Sequence, residues 1–115
     1  MALLLPVDVK QYLRVDSTEE DDLIGILLKT AEQLCIDILR LDAEQWETIA
    51  SYSCDEEIED TDLYTAEEIM ALRSILRGAI LYAVGYLYEH REEADHNALT
   101  LTLRAILSGA REVLF

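Results

Sequence analysis

The sequence predicts an all-α protein, a small bundle of about four helices of which the second and third are long, with an acidic loop and a C-terminal tail. Three observations carry that prediction. One proline and four glycines in 115 residues leave the chain poor in turn formers. Its runs are rich in Leu, Ala, Glu and Ile, which favour helix over sheet. Its apolar residues recur at helical spacing through most of the chain. At 51% hydrophobic, a chain of this length supplies one core and excludes a second large domain, so residues 1–115 are read as a single unit.

Pro6 suits a first helical position because its missing N–H would be unbonded there anyway, and Val9, Tyr12 and Leu13 follow at helical spacing. A short helix over Pro6–Leu13 results. Ser17-Thr18-Glu19-Glu20 has the form of a capping box, with the Ser17 hydroxyl accepting from the Glu20 N–H and the Glu20 side chain reaching back. It predicts a second helix over Glu19–Leu41. Carboxylates at Glu19, Glu20, Asp21 and Asp22 suit the positive end of its dipole, and Arg40 suits the negative end. Leu23, Leu27, Ala31, Leu34, Ile38 and Leu41 form its apolar stripe, widened by Ile24, Leu28 and Cys35. At 1.5 Å per residue such a helix is about 35 Å long, more than a bundle of this size needs, so part of its apolar surface is expected to meet another subunit.

Asp42 can cap a short helix over Ala43–Ser51 with Trp46, Ile49 and Ala50 on its apolar edge. The stretch Asp55–Asp62 then places six acids in eight residues with no base, and self-repulsion should keep it a solvated loop. It lacks the mid-loop glycine of an EF-hand calcium loop. Thr65-Ala66-Glu67-Glu68 is a second capping box. Ile69, Leu72, Leu76, Ala79, Ala83, Tyr86 and Leu87 carry the third and longest helix to about Glu92. Gly78 and Gly85, seven apart, share nearly one face and would admit a neighbouring helix. Asp95-His96-Asn97 breaks the pattern. Leu99–Leu107 alternates like a strand yet also places Leu99, Leu103, Ile106 and Leu107 at helical spacing; helix is preferred, ending at Ser108-Gly109 with an apolar tail beyond.

Composition also bears on function. Twenty-four acids against nine Lys and Arg leave a formal charge of -15, so a nucleic-acid backbone would be repelled. Cys35 and Cys54 show no CxxC spacing; two isolated thiols point to a reducing compartment, and Cys35 reads as a small buried hydrophobe. No apolar run approaches about 18 residues and Met1–Pro6 lacks a basic flank, so neither a membrane span nor a signal peptide is expected. The only imidazoles, His90 and His96, lie in an acidic stretch without a partnered nucleophile, and no enzyme activity is predicted. Glu93-Ala94-Asp95-His96 matches one Glu-x-x-His element, but a di-metal bundle needs two such copies and further helical carboxylates. No cofactor or metal is expected.

Three segments carry a family resemblance. Val9-Lys10-Gln11-Tyr12-Leu13-Arg14-Val15-Asp16, followed by Glu19-Glu20-Asp21-Asp22-Leu23-Ile24, resembles the opening of the tailed-phage head-tail connector (adaptor) family, an LKxxLRID segment and then an acidic EDDLI helix start. Ala79–Glu92 is similar to that family's third-helix signature, an apolar run ending in YENRE. Leu103-Arg104-Ala105-Ile106-Leu107 with Ala110-Arg111 resembles its closing ALLxPYR segment, although Gly109 and Ala110 stand where the family has proline and tyrosine. The acidic stretch Asp55–Asp62 is not a family hallmark.

The resemblance implies a non-enzymatic virion protein made in the bacterial host cytoplasm. It would form a ring beneath the portal, twelvefold when assembled there and monomeric in some members beforehand, and join the head to the stopper or tail-completion protein. DNA would pass through without specific binding and no membrane is involved; an acidic lumen avoids phosphate contacts. Tyr88, Glu89 and Arg91 occupy the signature positions, and with Arg111, Val113, Leu114 and Phe115 of the tail they form the expected intersubunit or portal interface. Asp55, Glu56, Glu57, Glu59, Asp60 and Asp62 form the expected acidic channel or docking loop. The competing reading is a soluble acidic helical adaptor, or a DNA-mimic inhibitor, that docks this strip on a basic protein surface.

Overall fold

Helical spacing in the sequence becomes helices in space. A computed structural model describes residues 4, 6–14, 18–50, 57–90 and 96–114, apart from the side chains of Pro6, His96 and Arg111–Leu114. Among them are five helices and no strand: α1 (Pro6–Leu13), α2 (Asp21–Leu39), α3 (Ala43–Ala50), α4 (Ala66–Glu89) and α5 (His96–Leu114). The all-α class stands, and the third long helix is α5, longer than the sequence predicts.

α4 is the central element, packed by α2 and α5 along its length and touched by α1 and α3 at its ends. Its face of Ile69, Leu72, Leu76, Ala79, Ile80, Ala83, Val84 and Leu87 is buried. α2 opposes it with Ile24, Leu28, Ala31, Cys35 and Leu39, and α5 with Leu99, Leu103, Leu107 and Ala110. Leu4 just before α1, Val9 within it, and Ile49 and Ala50 of α3 join the same cluster. No described polar or charged residue is buried, so hydrophobic burial drives this packing without the desolvation cost of a buried polar group.

The ends of the helices show which local signals operate. Thr65 and Glu68 form the expected capping box, the Thr65 hydroxyl accepting from the Glu68 N–H at 3.2 Å and the Glu68 carboxylate from the Thr65 N–H at 2.9 Å. Asp42 caps α3, accepting from the Gln45 N–H at 2.8 Å while Gln45 Oε1 accepts from the Asp42 N–H at 3.0 Å, a second reciprocal cap. The Arg73 guanidinium donates to the Ile49 carbonyl at 2.7 Å, meeting an orphan acceptor in the last turn of α3.

Several expectations change. α2 begins at Asp21 after a turn over Thr18–Glu20, and its N-cap residue Glu20 receives no side-chain cap; Ser17, the expected cap, lies outside the described residues. Arg40 is not in the last turn but is the C-cap itself, at φ 55°, with Arg40 N–H and Leu41 N–H closing onto the Asp37 and Ile36 carbonyls. The buried face of α2 is turned by one residue from the expected stripe, leaving Leu23, Leu27, Leu34 and Ile38 half-buried. A wide stripe does not fix its own centre; α4 and α5 do. α4 ends at Glu89 with His90 as C-cap, short of Glu92.

α5 includes His96 and Asn97 and runs on through Ser108 and Gly109, so the apolar tail is helical as far as Leu114. Burial of Ala110 draws the helix past the glycine, and among the described residues no glycine has a positive φ. Gly78 is exposed, and among the described residues nothing lies within 4 Å of where its Cβ would stand, so none of the described helices packs on it. α4 alone among the described helices has the length and average apolarity to cross a membrane, a property that counting uninterrupted apolar runs missed; 39% of that apolar stretch is buried in the core. α2 packs against α1, α4 and α5, and among the described residues the large apolar side chains left exposed are Val7, Tyr12, Ile26, Leu63, Met70, Tyr82 and Leu101.

Candidate functional site

Two of the three segments that carry the family resemblance, the opening one and the third-helix one, meet at one end of α4. There the C-terminus of α1 faces the last two turns of α4, and Tyr12, Leu13, Arg14, Tyr82, Gly85, Tyr86, Tyr88, Glu89 and His90 line an open cleft of about 660 Å³. That volume lies within the range of small-ligand sites, about 300–1,000 Å³. Gly85 lets α1 approach: a methyl group there would sit 3.2 Å from Tyr12 Cε1, so the tyrosine ring occupies the space a larger residue would fill. This is the close approach that glycine spacing anticipates, made by a side chain of α1 rather than by a helix backbone.

Two polar contacts brace the corner. Lys10 Nζ lies 2.7 Å from Asp21 Oδ1, pairing α1 with the first turn of α2. The Tyr88 hydroxyl donates to the Glu20 carboxylate, joining the end of α4 to the start of α2. Glu20 therefore serves a tertiary contact; its expected capping-box partner, Ser17, lies outside the described residues. Tyr86 stacks on His90 with ring centroids 4.3 Å apart at 19°, and His90 Nδ1 lies 3.0 Å from the Tyr86 carbonyl. Arg14, at φ 58°, ends α1 and is exposed at the rim. Tyr12 and Tyr82 expose 52% and 39% of their surfaces, which leaves aromatic area open to a ligand.

The acidic loop lies at the opposite end of α4, about 35 Å away for a helix of this length at 1.5 Å rise. Glu57, Glu59, Asp60 and Asp62 are exposed. Asp60 is partly committed, its carboxylate accepting from the Ala66 N–H at 2.6 Å at the start of α4. Thr61 and Tyr64 close a turn through reciprocal bonds of 3.1 Å, and Gln45 Nε2 donates to the Tyr64 hydroxyl at 3.0 Å. The strip is thus anchored at its C-terminal half; Asp55 and Glu56 lie outside the described residues.

The residues expected at an interface do not converge. Tyr88 and Glu89 belong to the cleft. α5 returns along α4 and sets Gly109 beside Ile75, so the backbone of Arg111, Val113 and Leu114 lies toward the other half of α4. Arg91 and Phe115 lie outside the described residues. Sequence reasoning missed Tyr12, Arg14, Tyr82 and His90 as parts of one site; the glycine at position 85 was the available signal.

Away from the cleft, burial together with the neighbouring Glu32 pushes the Cys35 thiol up to about 12. It is an inert packing residue. Partial burial raises Glu32 above the usual carboxylate range, against the opposing pull of Lys29. Among the described residues no group of His, Cys, Asp and Glu is arranged to hold a metal.

No family model, curated protein or solved structure matches this chain.

Proposed function

We propose that the chain is an adaptor subunit of a tailed-phage head-tail connector, a non-enzymatic virion protein that assembles as a ring beneath the portal and joins it to the stopper or tail. One observation supports the reading: the opening and third-helix segments that resemble the family are physically linked, Lys10 to Asp21 within the opening pattern, and Glu20 of its acidic helix start to Tyr88 of the third-helix signature. Residues 68 positions apart in sequence thus belong to one structural unit.

The net charge of -15 supports the same assignment. Packaged DNA sliding past a negative lumen makes few phosphate contacts and gains little from counterion release. The competing reading, a soluble acidic adaptor or DNA-mimic inhibitor, draws on the exposed Glu57, Glu59, Asp60 and Asp62.

Electron microscopy of the protein mixed with its cognate portal tests the proposal: an added annulus beneath the portal is expected, and its absence over a range of protein concentrations overturns it. An annulus held by apolar contacts should survive about 0.5 M salt, whereas docking through the acidic strip alone should be lost, because exposed charges are screened beyond a few ångströms at that strength. Arg91→Ala is expected to weaken ring formation, read in the same images, more than it lowers the melting temperature of the free chain. Equal losses would remove Arg91 from the interface.

A further inference from the structure

We infer that the cleft between α1 and α4 is a docking site for an arginine side chain on a basic segment of a partner protein. The inference rests on the geometry of the cleft and not on the connector assignment. Tyr12, whose ring lies against Gly85, and Tyr82 line the cleft with partly exposed aromatic surface, and Glu89, also in the lining, is exposed. Aromatic faces with a nearby carboxylate are the environment a guanidinium prefers, since it stacks flat on a ring while its N–H groups fork onto carboxylate oxygens.

Charge decides between a cationic and an anionic occupant. Arg14 and His90 also line the cleft, but Glu89 is there too, Glu20 is joined to the lining through Tyr88, and Lys10 is already paired with Asp21. Around them Glu19 and Asp22 are exposed at the start of α2. On a chain of charge -15, an anion would approach against the field and a basic segment along it. Arginine is favoured over lysine because the planar guanidinium can stack on an aromatic ring while forking onto a carboxylate, whereas an ammonium is a compact, strongly hydrated charge. The apolar stem of the incoming side chain would lie along Leu13, which is half-buried at the cleft wall.

The test is a titration of the ¹⁵N-labelled full chain with three end-blocked peptides, alternating glycine with arginine, with lysine or with glutamate, followed by amide chemical shifts. Saturable shifts at Tyr12, Gly85 and Glu89 with the arginine peptide, weaker ones with lysine and none with glutamate are expected. Tyr82→Ala and Glu89→Gln, both at exposed positions, should each weaken that binding by about two- to fivefold without altering the rest of the spectrum. Shifts confined to Glu57–Asp62, equal binding of the lysine peptide, no binding at all, or variants that bind like the parent would each overturn the assignment. Because no portal is present in this titration, its outcome is separate from that of the microscopy.

Discussion

At the start of α4, backbone groups are met by side chains three to six residues away: Thr65 with Glu68, and Asp60 with Ala66. At its other end the bracing contact joins Glu20 to Tyr88, and the nearby pair Lys10–Asp21 joins α1 to the start of α2. Local contacts form as soon as the helix does, whereas the long-range pair exists only once α2 lies antiparallel to α4 and α1 crosses both. The first end is therefore specified by a four-residue motif. The second is specified by packing, and it is there that an open, ligand-sized cleft occurs.

The shared core should dominate both ends. Leu28→Ala and Leu76→Ala, at buried positions of α2 and α4, are each expected to cost about 2–5 kcal/mol in urea unfolding. Leu27→Ala, at a half-buried position, should cost about 1–2 kcal/mol because less area returns to water. Equal costs for Leu27 and Leu28 would reject the observed rotation of α2. Thr65→Ala should then cost about 1 kcal/mol through the lost cap, with faster amide exchange confined to the start of α4. Tyr88→Phe should cost about 0.5–1.5 kcal/mol and speed exchange in α1 and the start of α2 instead. If both changes loosened the same residues, the two ends would not be independent.

Smaller effects sharpen the contrast. Lys10→Met removes a partly exposed ion pair and should cost about 0–1 kcal/mol at low salt, with no difference from the parent near 1 M salt. Glu32 lies in neither end. Burial raises its folded pKa above the unfolded value, so the native state holds the proton more tightly, and stability falls as pH rises from the unfolded value through the folded one. Glu32→Gln should consequently melt higher than the parent at neutral pH and lose that advantage near about pH 3, where both states of the parent are protonated. A constant offset across that range would mean that the glutamate side chain affects stability through packing alone.

Much of the helical layout was legible. Pro6 and the spacing of Val9 and Leu13 located α1 to the residue, and Thr65 with Glu68 located the start of α4. Expectations failed where a local signal met a stronger tertiary demand. Gly109 reads as a stop, yet burying Ala110 against the bundle outweighs the roughly 1 kcal/mol that a mid-helix glycine costs. Glu20, read from the sequence as half of a capping box, also takes the Tyr88 hydroxyl. α2 packs against three other helices of the same chain, with Leu23, Leu27, Leu34 and Ile38 left half-buried and Ile26 exposed. As for the cleft, the motif match singled out Tyr88 and Glu89, but nothing in the linear order joins them to Tyr12 and Arg14.

By itself the sequence determined that this chain is helical, acidic and built around one apolar core, because propensity, charge and periodicity are properties of neighbouring residues along the chain. Only the tertiary structure decided which edge of α2 faces inward, how far α5 extends, and that four tyrosines share a cleft. Those outcomes depend on the area each helix can bury against the others, and that area does not exist until the helices meet.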